Sequence, residues 1–177
     1  MYDARIFISD LNTVKEALVK NKAIYRGEYV IHDSIFELKN SDMGIDKVFM
    51  RLRSVPVNIW NEKPFIVVVK QTELKRVGKQ SIIPFKEQFD TEQQAKDFIN
   101  KNYLNKFKFL YEFDRMGWQF DMGEDQIDLE DIEGLYSVEF KSKSETGLRN
   151  LLKKFDINLE TVIKSPSVVE IKKLLKR

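Results

Sequence analysis

The chain of 177 residues is long enough for a sizeable core, and 42% hydrophobic with 33% charged residues describes a folded protein rather than a disordered one. Thirty Lys and Arg against 28 Asp and Glu leave a net charge of +2, so no global field argues for nucleic acid or a membrane surface. With no cysteine and one histidine, His32, the chain has no disulfide, no thiolate nucleophile, no cysteine-ligated metal and no multi-histidine metal site.

The first segment, MYDARIFISD, carries an acid at position 3 and no apolar run of signal-peptide length. No stretch approaches the roughly 18 apolar residues that cross a bilayer, so a soluble, cytoplasmic, reduced protein is expected. Residues 3–8 read as a strand, followed by a helix capped by Ser9 or Asp10, with Leu11, Val14 and Leu18 on one face. Residues 25–38, 47–55 and 64–74 are strand-like between polar or Pro-containing turns. A strand over 80–89 is expected at an edge or a bulge because of Pro84. A helix over 90–102 is capped by Asp90 or Thr91, and strands follow at 106–120, 125–132 and 135–141. Capping boxes at Ser142 with Glu145 and at Ser167 with Glu170 open two last helices. The expected architecture is a single α+β domain over residues 1–177. About eight strands form a closed or nearly closed antiparallel β-barrel, which leaves no raw edges, with helices packed outside.

Of two other motifs, one fails and one reads more simply as core. GKQS at 78–81 resembles the end of a P-loop, but Glu73 stands where the first glycine belongs. Residues 101–118 interleave bases with aromatics, as a single-stranded nucleic-acid platform would. Those aromatics fall at Phe107, Phe109, Tyr111 and Phe113, the alternation of a strand's core face.

The stretch VFMRLRSV at 48–55 puts Val48, Met50 and Leu52 on one face and Phe49, Arg51 and Arg53 on the other. The second face fits either solvent or a polar lumen. Strand positions also hold Arg5, Lys70 and Arg115, with Asp3, Glu130 and Glu139 as strand acids. Arginines ringed inside a barrel repel one another by about 4 kcal/mol per pair at 4 Å and an effective dielectric of 20. A multiply charged anion or interleaved carboxylates would relieve that repulsion. Arginine forks match phosphate oxygens, so a polyphosphate suits such a ring.

The opening MYDARIFISDLNTVKEAL resembles the first strand and helix of the CYTH superfamily, which contains class IV adenylyl cyclases and thiamine triphosphatases. The register places Met1, Asp3 and Arg5 on that strand's E-x-E-x-K positions. FMRLR is similar to the paired-basic strand, VVVK to the strand ending in a phosphate-contacting lysine (Lys70), and DRMGWQF to a later strand with a base and an aromatic (Arg115, Trp118). LEDIEGLYSVEFK resembles the acidic strand pair, with Glu130 and Glu139 on acidic positions, and KSPSVVEIKKLL the closing helix. The resemblance implies an eight-stranded tunnel with a small-molecule triphosphate inside, while the low net charge and the lack of a long apolar run argue against nucleic-acid and membrane partners. Arg5, Arg51, Arg53, Lys70 and Arg115 would bind that substrate, with Arg5, Lys70 and Arg115 as catalytic residues. Asp3, Glu139, Glu130 and Glu87 would hold Mg2+ or Mn2+. Met1 and Lys141 stand where the family carries glutamates, so the cationic half of the site is better kept than the metal half. Expected activities are hydrolysis of tripolyphosphate, a nucleoside triphosphate or thiamine triphosphate, or cyclisation of ATP. The alternatives are a binding module without turnover and a nucleic-acid or protein interaction domain using the KFKFLYEF strand at 106–113.

Overall fold

A computed structural model of the chain describes residues 1–39, 48–163 and 167–175. The alternation read from the sequence produces β1 (Tyr2–Phe7), β2 (Ile24–Leu38), β3 (Val48–Val57), β4 (Phe65–Leu74) and β5 (Lys79–Phe89), then β6 (Phe107–Met122), β7 (Asp125–Ile132) and β8 (Leu135–Ser142). The helices are α1 (Leu11–Lys20), α2 (Glu92–Asn102), α3 (Glu145–Lys154) and α4 (Ser167–Leu174). Lys47, the Lys164–Ser165 pair and the expected cap on the Ser167 side chain lie outside the described residues.

The strands pair antiparallel in the order β1-β5-β4-β3-β2-β6-β7-β8 and close into a barrel. Closure rests on a short seam, Tyr2 opposite Gln80 and Asp3 opposite Lys79. Pro84 lies beyond that seam and beside a register shift between Val69 and Gln71 on β4, so both expected settings for the proline coincide.

Helix starts follow local chemistry. Asp10 accepts hydrogen bonds from Asn12 N and Thr13 N at 3.1 and 3.0 Å. Thr91 and Gln94 form a reciprocal capping box. The cap of α3 is Ser144 rather than Ser142, because Ser142 still pairs with Tyr2 in the sheet. Glu145, expected to complete a box, instead accepts from Val77 N at 3.0 Å and ties α3 to the β4–β5 turn.

Three helices cover the barrel from outside. Leu148, Leu151 and Leu152 of α3, with Leu18 of α1, pack on Ile127, Leu129, Val138 and Phe140. Ala95 and Ile99 of α2 pack on Met50, Leu52 and Val67, which is the apolar face read from VFMRLRSV. Helix α4 also lies outside the strand ring, but it reaches the lumen. Its Val168 and Ile171 join Ile35, Phe49, Tyr111 and Phe113 and face the barrel interior. Phe109 departs from expectation. A bulge between Ile35 and Phe36 shifts the register against β6, and Phe109 turns outward, 55% exposed, against Phe36. No helix among the described residues is long and apolar enough to cross a membrane.

Candidate functional site

Inside the barrel lies a cavity of about 510 Å³, within the usual range for a small-molecule site. Eight basic and six acidic side chains line it. Arg5, Arg51, Arg53, Lys70 and Arg115 are all among them, as are Asp3, Glu130 and Glu139. The paired arginines therefore face a lumen and not solvent. Glu87 does not join them. Lys86 takes the inward position, so the alternation of β5 turns Glu87 outward into an exposed surface depression.

Two buried carboxylates organise most of the cations. Asp33, on β2, accepts from Arg53 Nε at 2.8 Å and Nη2 at 3.0 Å, and from Arg115 Nη2 at 2.7 Å. Arg51 Nε lies 3.5 Å from the same carboxylate. Burial alone would raise the Asp33 carboxyl, but Arg53, Arg51 and Arg115 hold it far below the ordinary carboxylate range. Glu130, on β7, accepts from Arg115 Nη1 at 2.9 Å, from the Tyr29 hydroxyl at 2.7 Å and from Arg5. Burial pushes Glu130 up, and Arg115 with Arg5 outweighs it, leaving the group low. Arg5 also reaches Ser137 Oγ at 2.6 Å and Glu139 Oε1 at 3.1 Å. Tyr29 reaches Glu130 because the residue opposite it, Gly117, has no Cβ; a methyl there would lie 2.2 Å from the tyrosine ring.

The third group follows from cross-strand register. Arg5 sits opposite Glu139, and Glu139 opposite Asp128. Asp128, Glu130 and Glu139 offer oxygens within 4.8 Å of one another, the one trio among the described residues that could hold a metal ion. Lys141, where a glutamate was expected, points inward and pairs with Asp128 and, at 3.2 Å, with Glu139. Burial pushes the Asp128 carboxyl up. Burial would lower the Lys141 ammonium, but Asp128 and Glu139 raise it. Asp3 stays apart from the trio, paired with Lys79 at 3.3 Å and with Ser81 Oγ at 2.9 Å. Of the expected metal ligands, then, Glu130 and Glu139 converge, Asp3 stands aside and Glu87 is outside.

Three lumen cations keep free capacity, Arg115 only through its Nε, which is buried without a hydrogen-bond partner while its Nη1 and Nη2 are engaged. Arg51 Nε is buried without a hydrogen-bond partner. Burial and the nearby Arg53 pull the Arg51 guanidinium down to about 9, still charged at neutral pH. Lys70 lines the cavity without an ion-pair or hydrogen-bond partner among the described residues. Burial pulls its ammonium down to about 8; Asp3 and Glu139 support the charge, while Arg51 and Lys79 oppose it.

The sequence motifs leave out Asp33, Asp128, Lys79 and Tyr29. Asp128 carried a usable signal, since it precedes Glu130 by two residues and must share its face. Asp33 is the lone acid on the inward face of YVIHDSI, and that too was readable. Trp118, the aromatic expected beside Arg115, packs outside, with Lys15 Nζ 4.2 Å from its ring.

A closed eight-stranded antiparallel barrel with a charged lumen is the architecture these features define. No known family profile matches the chain, and no curated protein matches it in sequence. Solved structures do match in fold. The PH1819 protein of Pyrococcus horikoshii has a TM-score of 0.72 at 12% identity, covering 99% of both chains. A proposed adenylate cyclase from Vibrio parahaemolyticus has a TM-score of 0.69 at 15% identity, covering 97% of this chain and 96% of its own. A proposed adenylyl cyclase from Hippeastrum, described as having dominant triphosphatase activity, has a TM-score of 0.59 at 14% identity over 89% of each chain. The chain shares its fold with these proteins, two of them proposed adenylate cyclases, over nearly its full length, as the sequence resemblance implied.

Proposed function

We propose that the lumen binds a triphosphate-bearing small molecule and hydrolyses it, with tripolyphosphate, a nucleoside triphosphate or thiamine triphosphate as the substrate class. The observation that carries this reading is the two least engaged cations, Arg51 and Lys70, facing one cavity inside the barrel. An anion entering there would take the hydrogen bonds that Arg51 Nε lacks and the charge that Lys70 does not share. Arg53, Arg5 and Arg115 would add field and position, since their forks already rest on Asp33, Glu130 and Glu139. The activity described for the Hippeastrum protein supports hydrolysis, and the Vibrio protein's assignment supports cyclisation of ATP as the variant.

A divalent cation such as magnesium or manganese was expected from the family resemblance. Asp128, Glu130 and Glu139 have the spacing for one, but as arranged they are engaged by Lys141, Arg5 and Arg115 and do not fit it. That observation favours the second reading, binding without turnover. Incubation with tripolyphosphate, ATP and thiamine triphosphate, with and without Mg2+ or Mn2+, separates the readings. Release of phosphate or pyrophosphate supports hydrolysis, and cyclic nucleotide supports cyclisation. Calorimetric binding of tripolyphosphate without product leaves the binding module. The absence of both binding and turnover refutes the triphosphate reading.

A further inference from the structure

The acidic trio is saturated atom by atom. Gln126 Nε2 lies 2.9 Å from both Asp128 oxygens, and Lys141 contacts one of them. Glu139 gives one oxygen to Arg5 at 3.1 Å and the other to Lys141 at 3.2 Å. Glu130 gives one to Arg115 and Tyr29 and the other to Arg5. All six carboxylate oxygens thus have a donor of the chain within 3.2 Å. A metal ion entering this trio needs lone pairs on several of them at once. It would have to expel the Lys141 ammonium while that charge stayed tethered two residues from Glu139 on the same face of β8.

The geometry points to Lys141 as a built-in substitute for a divalent cation. Its ammonium bridges Asp128 and Glu139 across the β7–β8 ladder, as a bound ion would. A resident monovalent charge keeps the two buried carboxylates compensated at all times, and it excludes metal from the trio. The lumen then takes its anion without metal, a consequence that rests on the triphosphate reading above; the exclusion of metal does not.

The test is Mn2+ uptake by the ligand-free protein, followed by electron paramagnetic resonance of the free ion, together with thermal melts. Native protein should leave the Mn2+ signal unchanged at millimolar concentrations and show no shift in Tm. Lys141→Met removes the ammonium and keeps the stem. It should melt lower than native, take up about one Mn2+ per chain, and regain Tm when Mn2+ is added. Should Lys141→Met fail to fold, Lys141→Gln, which keeps two donors without charge, carries the same comparison. Lys141→Glu should bind Mn2+ more tightly still. Uptake of Mn2+ by the native protein, or a folded Lys141→Met that takes up none, overturns the proposal. Native protein should also bind tripolyphosphate in EDTA; binding that appears only with Mn2+ overturns the metal-free claim. Absence of binding in both buffers would refute the triphosphate reading, and Mn2+ uptake would still decide the role of Lys141.

Discussion

Arg51, Arg53 and Arg115 converge on Asp33, whose side chain is buried beneath them. Three guanidinium groups around one carboxylate still leave excess positive charge, and that excess is what an anion can use. Replacing Asp33 with Asn keeps the shape and removes the compensation. Breaking a buried charge pair in this way costs about 3–5 kcal/mol. Urea unfolding of Asp33→Asn should show a loss of that size, and saturating tripolyphosphate should recover part of it by supplying negative charge to the same arginines. A loss near zero would mean that the three arginines do not depend on Asp33. Arg51→Ala probes the other side of the balance. It should weaken tripolyphosphate binding by about 1.5–3 kcal/mol, the usual worth of a hydrogen bond to a charged group. Calorimetry showing unchanged affinity in a folded Arg51→Ala protein would remove Arg51 from the anion site.

At the scale of elements, β6 carries a test of how tightly the lumen is assembled. A Cβ at Gly117 would meet Tyr29 Cζ at 2.2 Å and its hydroxyl at 2.4 Å. Gly117→Ala must therefore push Tyr29 off Glu130, and overpacking of this kind costs about 1–3 kcal/mol. Thermal melts should show the loss, and Tyr29→Ala in the same chain should add less than its effect alone, since the clash is already gone. The strands themselves were legible because charged and apolar residues alternate so regularly in β1, β3, β7 and β8. What alternation could not give was which face is wet. In β7 the charged positions Asp128 and Glu130 are as buried as Ile127 and Leu129, because barrel closure turns a polar face into an interior. Phe109 was misplaced for a related reason: one bulge reverses the faces of everything before it on the strand, and no residue in that stretch announces it. The reach of α4 to the lumen was equally hidden, since an amphipathic helix packs as well on a barrel mouth as on its wall.

For the molecule as a whole, net charge says little, because the decisive charges are inside it. The lumen has eight bases to six acids, and Lys70 is the base whose charge is least compensated and most easily lost. Its ammonium, at about 8 in the ligand-free fold, would be at 10.5 in an unfolded chain. Between those values the unfolded state binds the extra proton, so folding stability attributable to Lys70 rises with pH through that window and is flat below it. Anion binding runs the other way. A bound polyphosphate stabilises the charged ammonium, so binding above pH 8 requires taking up a proton, and affinity falls as pH rises. Below pH 8 the ammonium is already charged, and Lys70 contributes no slope. Calorimetry with tripolyphosphate from pH 7 to 10, paired with urea unfolding without ligand, should therefore show affinity and stability diverging above pH 8. Lys70→Met should abolish the Lys70 share of both slopes and bind the anion more weakly at pH 7. If Lys70→Met retains the full native pH dependence of affinity, Lys70 is not the group that meets the phosphate.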